Sequence, residues 1–132
     1  MRYGIDTNVI IRYLVQDDPQ QSAKVAAFLE SHCTEEEPGH IPLIVLCEVV
    51  WVLRRAYQYP KSQIVKVLEN LLHTAELSIE NPEFAWDALR KYKTGNADFS
   101  DYLIGRINRH YGCHKTVTLD KTAGRTDDFL LL

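Results

Sequence analysis

Cysteine is scarce in this 132-residue sequence, and the three present follow no pairing pattern. Cys33, Cys47 and Cys113 are widely spaced and form no CxxC pair. That argues against a disulfide framework and fits a reducing compartment. Cys113 and His114 are adjacent, and adjacent ligands rarely wrap one tetrahedral zinc ion, so a buried thiol beside a surface histidine is expected there. Long apolar runs are missing too. The longest, Ile41 to Leu53, is broken by Pro42 and Glu48 and is too short for a bilayer. Asp6 interrupts the start before an apolar signal region can form. The expectation is a soluble, cytoplasmic protein with no membrane association. Nor does charge of one sign dominate. A net charge of −3 does not suggest a nucleic-acid coat protein. Nucleic acid stays open as a partner, because acids gathered in one metal site would mask basic residues elsewhere.

What is present reads as one globular domain over residues 1–132, with 45% hydrophobic and 25% charged residues and no repeat, linker or low-complexity segment. RYGI (Arg2 to Ile5) reads as a short strand. TNVIIRYLV places Val9, Ile10, Tyr13 and Leu14 on one helical face. Asp18, Pro19 and Gln21 form a helix start of capping-box type, with the helix running to about Ser31. TEEEPG is a polar break, HIP a short strand and LIVLCEVVWVLRRAY a helix. KSQIVKVLENLLH is helical by spacing, ELSIE is a brief strand, and Asn81 caps a helix through FAWDALRKY. ADFSDYLIGRINRHYG is a helix stopped by Gly112. TVTL reads as a buried strand and FLLL as the last one. Short strands alternating with helices predict an α/β sandwich around a mostly parallel sheet.

In such sheets, sites form beyond the carboxyl ends of strands. Asp6 follows the first strand and Asp120 follows TVTL, so both acids are expected at one edge. Glu48 interrupts an apolar helix, either because it serves a site or because it lies on the wet side of that helix or pairs with a nearby Arg. Asp98 and Asp101 are three residues apart and share a helical face. Helix-start chemistry accounts for part of Asp98 and less of Asp101. Carboxylates crowded on one edge resist joint ionisation. A hard divalent cation, Mg²⁺ or Mn²⁺, resolves that conflict through oxygen ligands, and the lack of thiolate or imidazole nearby disfavours zinc.

IDTNVIIRYL, E-VVWVL, ADFSDYLIG and TVTLDK, in this order and at these intervals, resemble the PIN-domain family, and specifically the VapC-like ribonuclease toxins of toxin–antitoxin pairs. The resemblance covers nearly the whole chain and implies a PIN-like three-layer sandwich with a central sheet flanked by helices. By position, Asp6, Glu48, Asp101 and Asp120 correspond to the family's catalytic acids. Asp6, Asp98, Asp101 and Asp120 correspond to its metal ligands. Asn8 matches a polar residue that orients the first Asp. Thr118 occupies a position where members often carry Thr or Ser, and a β-branched strand residue explains it equally well.

The implied activity is Mg²⁺- or Mn²⁺-dependent hydrolysis of RNA, with a small antitoxin protein as partner and a homodimer as the expected assembly. Arg12, Lys91, Lys93 and Lys121 lie close to the motifs and are either contacts to RNA phosphates or solvated surface charge. A phosphotransferase of the haloacid-dehalogenase type needs an acid where Asn8 stands, which removes that class. The remaining alternative is a catalytically silent PIN-like module that binds RNA or protein.

Overall fold

Local signals fix the helix ends. In the computed structural model, which describes residues 1–132, Thr7–Val15 (α1) and Pro19–His32 (α2) open the chain. Asp18 accepts a hydrogen bond from the Gln21 N–H at 3.1 Å, with Pro19 in the first turn, so the expected cap of α2 is present, but the box is not closed, because the Gln21 side-chain oxygen accepts from Arg12 at 2.6 Å instead. Gly39–Ile41 (β1), Leu43–Arg55 (α3), Lys61–His73 (α4) and Leu77–Ile79 (β2) follow. The second half holds Pro82–Thr94 (α5), Phe99–His110 (α6), Thr116–Thr118 (β3), a 3-10 turn at Ala123–Arg125 and Phe129–Leu131 (β4). No helix is long and apolar enough to cross a membrane.

The chain divides into two compact units, Met1–Pro82 and Glu83–Leu132. In the first, β1 and β2 run parallel with Gly39 opposite Leu77 and Ile41 opposite Ile79. The expected strand Arg2–Ile5 contracts to a single parallel bridge, Gly4 to His40, supported by bonds of 2.8 Å from His40 N to Tyr3 O and from Ile5 N to His40 O. A side chain at Gly39 would lie 2.9 Å from Cys33 Sγ and 3.0 Å from Ile5, so only glycine lets these segments close up. Ile5, Ile41 and Ile79 are buried, as are Leu46, Val49 and Leu53 of α3 and Ile64, Leu68 and Leu71 of α4. In α1 the buried pair is Ile10 and Ile11, while Tyr13, expected on the inner face, is exposed.

In the second unit, β3 and β4 also pair in parallel, Val117 opposite Leu130. The α/β class with short parallel strands is as expected. The strands form one two-stranded parallel pair in each unit, every strand three residues long. TVTL is not buried. Val117 is 57% exposed and Leu119 80% exposed. Cys113, expected as a buried thiol, is exposed as well. Asn81 directly precedes α5, with a φ of 40°.

Gly112 ends α6 as predicted. Its φ of 89° is open to glycine, and it allows Gly112 N to reach Arg109 O and Cys113 N to reach Asn108 O, each at 3.0 Å. That pair of bonds is a Schellman motif. Phe99, Tyr102, Leu103 and Gly105 of α6 are buried, as are Phe84, Ala85, Ala88, Leu89 and Tyr92 of α5.

Candidate functional site

The first unit positions two of the motif acids through its helices. Asp6 caps α1 in an extended conformation, and its Oδ1 accepts the Thr7 N–H at 2.8 Å. Glu48 lies on α3, whose other face buries Leu43, Val45, Leu46, Val49, Val50 and Leu53, so its carboxylate is turned to solvent. The Thr7 hydroxyl donates to Glu48 Oε1 at 2.6 Å. Thr7 therefore links the two acids, receiving Asp6 at its backbone and holding Glu48 with its side chain. Sequence reasoning passed over this residue, although it sits inside the DTN triplet. Asp6, Asn8, Arg12, Glu48 and Tyr57 line a common cleft of about 330 Å³. Next to Glu48, burial foremost and then the neighbouring carboxylate push the Cys47 thiol up to about 11, which keeps it protonated near neutral pH and unsuited to nucleophilic work.

The second unit supplies the others. Asp98 is the N-cap of α6, and Asp101 stands three residues on. The Asp98 N–H donates back to Asp101 Oδ2 at 3.3 Å, the returning half of a capping box. Burial raises the proton affinity of the Asp101 carboxyl. The Asp98 N–H partly offsets this, and the negative charges of Asp98 and Asp120 push in the same direction as burial. Asp120 follows β3. Its Oδ1 accepts from Thr122 N at 2.8 Å and Ala123 N at 3.0 Å, and its own N–H donates to the Thr118 hydroxyl at 3.0 Å. Thr118 thus holds the backbone of Asp120.

The basic residues near the motifs have distinct settings. Arg12 donates to Gln21 at 2.6 Å, Asp17 at 3.1 Å and Tyr57 at 3.3 Å. Lys91 pairs at 2.9 Å with the buried Asp128, which Arg109 also contacts at 2.6 Å. Neither the sequence spacing nor the motifs pointed to Asp128. Lys93 and Lys121 are exposed.

In neither unit do three or more His, Cys, Asp or Glu side chains close to metal-binding distance. The donor chemistry nonetheless suits a hard divalent cation. Every motif acid offers carboxylate oxygen, and the electrostatic coupling of Asp101 to Asp98 and Asp120 marks a region that favours added positive charge.

The chain is an α/β protein with acids at the starts of α1 and α6, within α3 and after β3. The PIN domain model matches residues 3–128, and the chain belongs to the PIN-domain family. It is similar to a protein described as "VapC ribonuclease" from Aquifex aeolicus (strain VF5). The two are 24% identical over 117 residues, which cover 89% of this chain and 86% of that relative.

Proposed function

We propose that this chain is a divalent-metal-dependent ribonuclease that hydrolyses RNA phosphodiester bonds, the toxin of a cytoplasmic toxin–antitoxin pair, with residues 1–132 acting as one nuclease domain. The observation that supports this best is the state of the motif acids. Asp6, Glu48, Asp98 and Asp120 are all exposed, and Asp6, Glu48, Asp101 and Asp120 are each fixed through one oxygen by a local hydrogen bond. Carboxylates placed only for solubility need no such orientation.

Asp6, Asp98, Asp101 and Asp120 would hold Mg²⁺ or Mn²⁺, which when bound lowers the pKa of a coordinated water and neutralises charge on the phosphate. Glu48, steered by Thr7, takes the proton from the attacking water. Asn8 borders Asp6 in the same cleft, and Thr118 orients Asp120. Arg12, Lys93 and Lys121 meet RNA phosphates, while Lys91 is committed to Asp128. The antitoxin inhibits by presenting an Arg or Lys to these carboxylates, since a guanidinium pairs bidentately with a carboxylate. Raising Mn²⁺ then weakens inhibition. The active assembly is a homodimer, which sedimentation would read directly.

The second reading, a PIN domain that holds RNA or protein without cutting, is favoured by the helix-start and turn bonds that already engage Asp101 and Asp120. One experiment separates the two. The purified chain is incubated with structured and unstructured RNAs in Mg²⁺, Mn²⁺ or EDTA, beside Asp101→Asn. Cleavage that needs metal and Asp101 supports the ribonuclease. Cleavage in EDTA overturns the metal assignment, and binding with no cleavage in any condition leaves the binding module.

A further inference from the structure

Arg12 is held more firmly than a half-exposed arginine requires for solubility. Its Nε donates to Gln21 Oε1, and its Nη1 donates to Asp17 Oδ1 and to the Tyr57 hydroxyl. Tyr57 in turn donates to Asp17 Oδ2 at 3.0 Å, which closes the ring of partners. The buried Ser22 hydroxyl donates to the Arg12 carbonyl at 3.1 Å and fixes the backbone. A guanidinium has five N–H donors, and these bonds use only Nε and Nη1.

A clamp joining α1, α2 and the end of α3 would account for the bonds alone. It does not account for the position of Arg12 as a wall shared by two clefts. One cleft, of about 330 Å³, holds Asp6 and Glu48. The other, of about 400 Å³, is lined by Asn8, Gln21 and Lys24 together with Arg12 and contains no carboxylate. Asn8 and Arg12 belong to both. Passing from the acids across these two residues leads into a space whose charged groups are cations only, Arg12 and the exposed Lys24.

We infer that this second cleft is a subsite for a phosphodiester flanking the scissile one, in which Lys24 and the Nη2 of Arg12 contact the phosphate of a single-stranded RNA. The inference rests on the ribonuclease reading. Phosphates repeat along the strand, so an RNA whose scissile phosphate lies at the acids carries the next anion into a neighbouring space, and a cleft whose own lining offers Lys24 and the Nη2 edge of Arg12, with Asp17 held outside it on Nη1, suits that anion. Asp17 and Tyr57 are positioning residues. They hold Arg12 against its own flexibility.

The test uses the full chain in a cleavage-silent Asp101→Asn background, with a fluorescent single-stranded RNA whose cleavage by the parent has been established. Binding is measured by anisotropy over a range of salt. Lys24→Gln should reduce the slope of log K against log salt by about 0.7, the value for one phosphate contact on a single strand. Lys66→Gln, on the exposed side of α4, should leave the slope unchanged. In the active chain, Lys24→Gln and Tyr57→Phe should both raise the RNA concentration giving half-maximal single-turnover rate while the maximal rate stays within about twofold. An unchanged slope in Lys24→Gln overturns the subsite. So does a fall in maximal rate at unchanged half-saturation, which would place Lys24 in the chemistry instead. A parent that neither binds nor cuts any RNA removes the ribonuclease reading itself, a result distinct from a parent that binds with an unaltered Lys24→Gln slope.

Discussion

Stripping the cations from Asp128 should expose how much of the second unit's stability rests on one carboxylate. The Asp128 side chain is 9% exposed and is met by Lys91 at 2.9 Å and Arg109 at 2.6 Å, themselves 39% and 60% exposed. Either cation can regain water when it loses its partner, but the carboxylate cannot. Lys91→Met leaves Asp128 with Arg109, and Arg109→Met leaves it with Lys91, so each should cost about 1–2 kcal/mol, the range of a charge-assisted bond weakened by partial exposure. The double variant leaves a buried charge without a counterion, at a cost of about 3–5 kcal/mol. For a chain of this size that is a fall in Tm on the order of 10–20 °C.

Asp128→Asn makes the sign of the effect testable. In the parent it should destabilise by about 2 kcal/mol, because two ion pairs become one bond from a cation to a neutral amide oxygen and one cation facing an amide NH2. In the Lys91→Met/Arg109→Met background it should stabilise, because it removes the orphaned charge. The assay is urea unfolding of all the combinations at neutral pH, read as a double-mutant cycle. If Asp128→Asn still destabilises after both cations are gone, the carboxylate is not held by charge and the reasoning fails. The same variants bear on RNA. Lys91→Met should leave the salt dependence of RNA binding unchanged, since its ammonium is already engaged.

Asp101→Asn should give a metal-free protein at least as stable as the parent at pH 7 and nearly inactive in RNA cleavage. Because the folded carboxyl titrates above its ordinary value, the cost of ionising it is absent below pH ~4 and complete above the raised native value, so the gain should vanish on acidification. Thermal melts at pH 3.5 and 7 would check this, and a large loss at pH 7 would refute it. Thr7→Val removes the hydroxyl that holds Glu48, and should lower the maximal cleavage rate about tenfold while changing stability by about 1 kcal/mol or less. Arg106, and then Arg90, hold the Asp87 carboxyl below its ordinary value, so this contribution exists above pH ~4 and is lost as pH falls through the depressed native value. Asp87→Asn should therefore cost about 1 kcal/mol near pH 7 and progressively less as the pH falls below about 4 in urea titrations.

The sequence was most readable where structure depends on neighbours along the chain. Asp18, Pro19 and Gln21 announced α2, and Gly112 announced the end of α6, because caps are settled within a few residues. The PIN-domain assignment was readable too, since its motifs are short, ordered and local. Reading failed where the outcome depends on distant partners. RYGI has strand composition, yet it meets β1 at only one bridge. TVTL has the residues of a buried strand and keeps Val117 and Leu119 in solvent. Lys91 reads as surface charge until Asp128, 37 residues away, is brought against it. Thr7 reads as a helix starter until Glu48, 41 residues away, receives its hydroxyl. Periodicity reports which face of an element is apolar, and it carries no information about such pairings.

The acids that carry the proposed chemistry also hold the backbone. Asp6 accepts the first N–H of α1, Asp101 returns a bond to the start of α6, and Asp120 gathers two N–H groups of the turn that follows it. An asparagine can accept the same bonds through its amide oxygen, whereas an alanine cannot. At these positions, Asp→Asn removes charge and leaves the scaffold standing, while Asp→Ala removes both. One base change converts an aspartate codon into an asparagine codon. A lineage carrying such a chain therefore has a short genetic route to a copy that keeps its fold and loses the charge the proposed chemistry needs.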